Sequence, residues 1–192
     1  MWNGEDVKGW ELVTNSAANI DSVYKIESDS VLVVAGNPIG YLATIDSYNN
    51  YKLHLEYRWP LDAVKNSNSG VFIHIASGPI DRNTWPLCFQ IQTKITRAGD
   101  LLLMAGAKFD EPLSTVPETK TILLECQKPD SERPVGEWNI VGIICCDSTI
   151  ECLMNGIGQN HITNCRPHAE KIGIQLKGVP FELRNIWLTQ LN

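Results

Sequence analysis

A period of two in the placement of apolar residues constrains this chain more than any other feature. Leu53, Leu55, Tyr57 and Trp59 alternate with His54, Glu56 and Arg58, and Val71, Ile73 and Ile75 alternate with Phe72 and His74. Phe89–Lys94, Ile172–Lys177 and Phe181–Leu188 repeat the pattern. Successive side chains of a strand point to opposite faces, so each segment reads as a half-buried strand. Turn-forming clusters punctuate them at Gly36-Asn37-Pro38, Asp46–Asn50, Lys65–Gly70, Ser77–Asn83, Gln127–Gly136, Asp147-Ser148 and Asn155–Gly158. The spacing predicts a hairpin of Asn139–Cys146 and Thr149–Met154 around Asp147-Ser148, with an Asn155-Gly156 turn after it. Gln127–Gly136, charged and proline-containing, is expected to be a mobile surface loop. No apolar i, i+3, i+4, i+7 pattern lasts a full helix length, so any helix is short. The expectation is an all-β fold, a sandwich or jelly roll of two antiparallel sheets, forming one domain over residues 1–192.

Composition removes several classes of function. With 43% hydrophobic and 20% charged residues the chain can build a core. Its formal net charge of −6, without a basic cluster, makes nucleic acid an unsuitable partner. The apolar runs Val31–Ala35, Leu101–Ala105 and Ile143–Cys146 fall far short of the roughly 18 residues a membrane helix needs. Trp2, Glu5, Asp6, Lys8 and Glu11 make the first twenty residues neither a signal nor a transit peptide. The six cysteines lack a C-x-x-C spacing and read as packing thiols rather than a disulfide framework. His161, Cys165 and His168 lack a partner string, so neither a metal nor another cofactor is expected. No G-x-S-x-G is present for a nucleophile elbow.

Several strings, taken in order, resemble one family. Trp2-Asn3-Gly4-Glu5-Asp6 with Gly9-Trp10, Gly40-Tyr41-Leu42-Ala43-Thr44, Leu53–Arg58 and Asn68-Ser69-Gly70-Val71-Phe72 resemble motifs of the 3-keto-disaccharide (3-keto-glycoside) hydrolase domains. So do Gly136-Glu137-Trp138-Asn139, Asn155-Gly156, Ile172-Gly173-Ile174-Gln175 and Leu183-Arg184-Asn185-Ile186. The resemblance spans essentially the whole chain. It implies a concanavalin A-like jelly roll whose concave sheet forms a sugar cleft, in an exported, periplasmic or extracellular bacterial protein acting on a saccharide or glycoside.

The same resemblance directs attention to one strand. Family members often carry Glu-x-Gln there, whereas this chain has Gln90-Ile91-Gln92, with Lys94 sharing their parity. Glutamine cannot accept a proton at neutral pH, so the usual carboxylate base is missing; it can still hold a sugar hydroxyl as donor and acceptor. His74 shares parity with Phe72 and is expected to face the cleft, where it would be the base that removes the C2 proton of a 3-keto sugar. Lys94 or Lys177 would stabilise the resulting enolate, while Gln90, Gln92 and Gln175 hold hydroxyls. Trp85 and Trp138 offer flat faces to a pyranose. Glu56 and Arg58 share a strand face, as a polar subsite or as an ordinary surface ion pair. The competing readings are a lectin-like module that has lost its cleft glutamate, and a purely structural domain of an envelope assembly.

Overall fold

The computed structural model describes residues 1–117, 119–126, 131–168 and 171–191. Strands are numbered along the chain. One sheet has the order β1 (Trp10–Thr14), β4 (Gly40–Thr44), β14 (Lys171–Leu176), β6 (Gly70–Asp81), β7 (Trp85–Gln92), β8 (Leu101–Met104), β10 (Ile122–Leu124) and β9 (Ser114–Thr115). The other runs β13 (Ile157–Ile162), β12 (Thr149–Met154), β11 (Asn139–Cys146), β5 (Tyr51–Arg58), β15 (Phe181–Gln190), β3 (Val31–Val34) and β2 (Tyr24–Glu27). All pairings are antiparallel, and the helical content among the described residues is two short 3-10 turns, at Ile20–Ser22 and Ser28–Ser30.

The alternation sets the core. Tyr51, Leu53, Leu55 and Tyr57 of β5 are buried and face the inner side of the opposing sheet, where Val71, Ile73, Phe89 and Ile91 meet them. Burying an apolar side chain of this size contributes about 1.5–3 kcal/mol, and the contact runs the length of both sheets. The β11–β12 hairpin has the expected boundaries and turns at Asp147-Ser148. Asn155 and Gly156 both have positive φ, 52° and 82°, as the turn into β13 requires. The six cysteines are free thiols, and Cys88, Cys145, Cys152 and Cys165 are buried as core packing.

Three of the family-like strings, at Trp2–Trp10, Gly136–Asn139 and Asn155-Gly156, are turn chemistry; the others lie on β4, β5, β6, β14 and β15. Asn3 Oδ1 accepts from the backbone N–H of Glu5 and of Asp6, both at 2.9 Å, and Asp6 Oδ1 accepts from that of Lys8 at 3.0 Å. These Asx turns feed Trp10 into the core, where it is 6% exposed. Asn139 and Asn155 are coupled by an Asn155 Nδ2 to Asn139 Oδ1 bond of 2.8 Å. Of the expected loop Gln127–Gly136, residues 127–130 lie outside the described residues. The segment after them is fastened, with the Arg133 N–H donating to Asn139 Oδ1 at 2.7 Å.

Two expectations need correction. Ser77–Asp81, read as a turn, is the outer end of a long β6, which pairs with β7 through two register shifts. More consequentially, β6 carries a bulge at Ile73-His74. Phe72 opposes Gly173 of β14, but Ile75 opposes Lys171, so three residues of β6 answer two of β14. His74 absorbs the extra residue at φ 57°. Strand parity is thereby reversed: Ile75 joins Phe72 on the outer face, and His74 joins Val71 and Ile73 in the core.

Candidate functional site

The outer face of β7 is not solvated. Gln90, Gln92 and Gln175 are 2%, 5% and 2% exposed. Buried carboxamides are costly unless hydrogen-bonded, and these three bond one another. Gln90 Nε2 donates to Gln92 Oε1 at 2.9 Å and to Gln175 Oε1 at 3.2 Å, and Gln175 Nε2 returns a bond to Gln90 Oε1 at 3.4 Å.

Gly70 makes this contact possible. It lies on β6 between the two glutamine-bearing strands, opposite Gln92 on one side. On the other side the Ile174–Val71 pairing sets it level with Gln175. Strands two apart in a sheet are separated by about 9–10 Å, so the amides meet only because no side chain stands between them. A Cβ on Gly70 would lie 2.7 Å from Gln90 Nε2 and 2.9 Å from the Ile91 carbonyl oxygen. Ser69, its neighbour, fixes β14 by donating from Oγ to the Gln175 carbonyl at 2.7 Å. Gly70→Ala is therefore expected to displace Gln90 and cost about 1–3 kcal/mol, read as a lower denaturant midpoint.

The cleft over these glutamines has a volume of about 200 Å³ and is lined also by Asn68, Lys94, Arg97, Trp85 and Lys177. That is smaller than the roughly 300–1,000 Å³ of drug-sized sites and suits a single sugar-sized unit. The indole of Trp85, 5% exposed, stands edge-on to Phe72 at 6.0 Å. Lys177 Nζ lies 4.4 Å from its ring centroid. Burial, reinforced by the Arg82 guanidinium and opposed by Asp81, holds the Lys177 ammonium below its ordinary pKa. Trp85 is thus a wall already covered by a cation, on a strand, rather than an open platform in a loop. No carboxylate is among the described lining residues. The pair of acids that ordinary glycoside hydrolysis uses is therefore not found there.

Six of the residues singled out from sequence converge on this cleft: Trp85, Gln90, Gln92, Lys94, Gln175 and Lys177. His74 does not. It is 1% exposed and packs between Tyr51 and Phe89, at 6.2 and 6.4 Å between ring centroids. Neither ring nitrogen has a hydrogen-bond partner among the described residues. Burial, with a smaller effect of His168, pushes its pKa down to about 4. The bulge has moved it to the wrong side of the sheet to touch a sugar. Glu56, Arg58 and Trp138 are also elsewhere, on the outer face of the other sheet. Trp138 lies between the guanidinium groups of Arg58 and Arg184, at 4.6 and 4.0 Å. Arg58 Nη2 pairs with Glu182 at 2.5 Å and Arg184 Nε with Glu56 at 2.7 Å, so the ion pairs cross between strands. Hydrogen bonds from Asn185 and Arg184 outweigh burial and keep the Glu56 carboxyl below its ordinary value. These residues tie β5 to β15 and to the segment before β11.

Sequence reasoning did not assign Asn68 and Arg97 to the cleft. Asn68 lies within the quoted Asn68–Phe72 string, which was the available signal. Arg97 belongs to a turn, held by Asp100 at 3.1 Å. His161 and His168 are exposed while Cys165 is buried, and no cluster of three or more His, Cys, Asp or Glu suited to a metal occurs among the described residues.

The two-sheet jelly roll and the family match together place the chain in a carbohydrate-active domain family. The chain belongs to the 3-keto-alpha-glucoside-1,2-lyase-like domain family, whose model matches residues 1–189. Among solved structures, a presumptive glycosyl hydrolase from Parabacteroides distasonis superposes with a TM-score of 0.66 at 17% identity, over 100% of this chain and 92% of that one. A second from the same organism gives 0.64 at 20% identity, over 95% and 99%. The carbohydrate-binding module CBM66 from Bacillus subtilis gives 0.60 at 5% identity, over 95% and 96%. At these identities the likeness is one of fold. No curated protein sequence matches the chain.

Proposed function

We propose that this protein recognises a saccharide in the cleft over Gln90, Gln92 and Gln175. The observation that carries this reading is the buried carboxamide cluster itself. Sugar hydroxyls need partners that donate and accept at once, and carboxamides do both. Three of them, fixed against each other beside an indole, form a preorganised polar floor rather than a flexible surface. Gln90 is the centre, bonded to both of the others. Gln90→Ala is expected to weaken saccharide binding about 10- to 30-fold, the equivalent of one or two lost hydrogen bonds. Calorimetry against methyl glucosides and their 3-keto derivatives would measure it. An unchanged affinity would sink the assignment.

A second reading, turnover of 3-keto-glycosides, is favoured by Lys177. A C3 ketone acidifies the C2 proton, so a base that takes it leaves an enolate, and the C1–O bond then breaks with departure of the aglycone. His74 is buried away from this position. Lys177 is the described cleft group whose environment lowers its proton affinity, the direction that favours an amine giving up its proton to act as base. Release of aglycone from a 3-keto-glucoside, lost in Lys177→Met, would establish the lyase-type reaction. Binding without release would make the domain a recognition module.

A further inference from the structure

The charge inside the cleft is opposite to that of the protein. The chain carries a formal net charge of −6, yet the ionisable side chains among the described lining residues are Lys94, Arg97 and Lys177. Arg97 is compensated, by Asp100 at 3.1 Å and Glu125 at 3.4 Å. Lys94 and Lys177 have no carboxylate within 4.0 Å among the described residues. Both are half-buried.

Their placement is set by the sheet. β7 and β14 each pair antiparallel with β6, so they run in the same direction. Gln92 and Gln175 stand level on either side of Gly70. Lys94 follows Gln92 by two residues and Lys177 follows Gln175 by two. Pairing with the segment before β6 continues past Gln92, where the Thr93 N–H donates to the Ser69 carbonyl at 3.1 Å. Both lysines therefore leave the glutamine floor at the same end.

We infer that the saccharide held in this cleft is negatively charged, its carboxylate or sulfate lying at the Lys94–Lys177 end and its hydroxyls on the glutamine floor. This rests on the saccharide-binding reading above and adds the ligand's charge to it. A neutral sugar needs the floor but leaves Lys94 and Lys177 without a paired carboxylate in a partly desolvated recess, Lys177 having only the Trp85 face and the more distant Asp81. An anion in the recess is attracted by both, the Lys177 ammonium acting from its place over Trp85, and that attraction is several times stronger than in bulk water. The acidic remainder of the protein repels the same ligand, so the field favours this one recess.

The test uses two pairs of probes that differ in charge on a common skeleton. Galacturonate is paired with its methyl ester, and galactose 6-sulfate with galactose. Calorimetry on the full chain is expected to show the charged member of at least one pair binding about tenfold tighter than its neutral partner. The two arms show whether carboxylate or sulfate is preferred. The advantage is expected to shrink as salt is raised and to fall at least threefold in Lys94→Gln, the variant's fold being checked by circular dichroism. Equal binding of charged and neutral members would overturn the inference and leave the saccharide site standing. A charge preference untouched by both Lys94→Gln and Lys177→Gln would overturn it too. Failure of all four probes to bind would overturn the inference, while the glucoside calorimetry above decides the site separately.

Discussion

Acidification from pH 7 to pH 4 is expected to withdraw about 3 kcal/mol of folding stability through His74 alone. In the folded protein this imidazole titrates at about 4, because burial disfavours its charged form. In the unfolded chain it titrates near the ordinary 6.5. Between those values the unfolded state takes up a proton that the native state refuses, so stability is complete above about pH 6.5 and falls as the pH drops toward 4. Below 4 both states are protonated and the loss stops growing. Other groups add to acid sensitivity, Glu56 among them, so the contribution is isolated with His74→Leu. Leucine is close to histidine in volume and, like it, is not a glycine at φ 57°. Denaturant midpoints measured at pH 7 and pH 4.5 should diverge much less in the variant. A wild-type curve parallel to that of His74→Leu would show that the imidazole is not buried neutral.

Phe72→Ala is expected to cost about 3–5 kcal/mol, the usual range for emptying a fully buried aromatic site. Phe72 is wholly buried on the cleft side of β6, edge-on to Tyr41 at 5.6 Å and to Trp85 at 6.0 Å. Each such ring pair adds about 0.5–1.5 kcal/mol beyond the area it buries. The substitution also removes the support behind Trp85, so saccharide affinity should fall along with stability. Phe72→Leu separates the two effects: it refills most of the volume and should recover most of the stability, while the edge contact with the indole stays lost. Equilibrium denaturation and calorimetry on both variants would check this. A Phe72→Ala midpoint close to wild type would contradict the packing described.

Sequence periodicity made much of the architecture legible, for reasons visible in particular strands. β5, β11, β12 and β15 each bury one face, so their alternation survives in the residue order. β8, β9 and β10 were not legible: they span four, two and three residues, too few for a period to register. The cleft glutamines were found because the family resemblance pointed to their strands, and parity, which holds along β7 and β14, put them on one face. Parity failed at His74, since a bulge adds a residue without leaving a mark in the hydrophobic pattern. It also cannot tell one sheet's outer face from the other's, which is why Glu56, Arg58 and Trp138 entered the candidate set. Among the strings that resemble the family, some organise turns and more lie on strands, and Asn68, Gly70 and Gln175 are the residues from them that build the cleft.

The bulge in β6 also acts as a phase shifter within a single strand. On the Gly70 side of His74, even-numbered residues lie on the outer face; just past it, the odd-numbered Ile75 does. The floor of the cleft and the hairpin that rises beyond it are thus read in two different frames. Removing residue 74 would merge the two frames into one alternation, leaving Ile75 on the outer face and taking the imidazole out of the core.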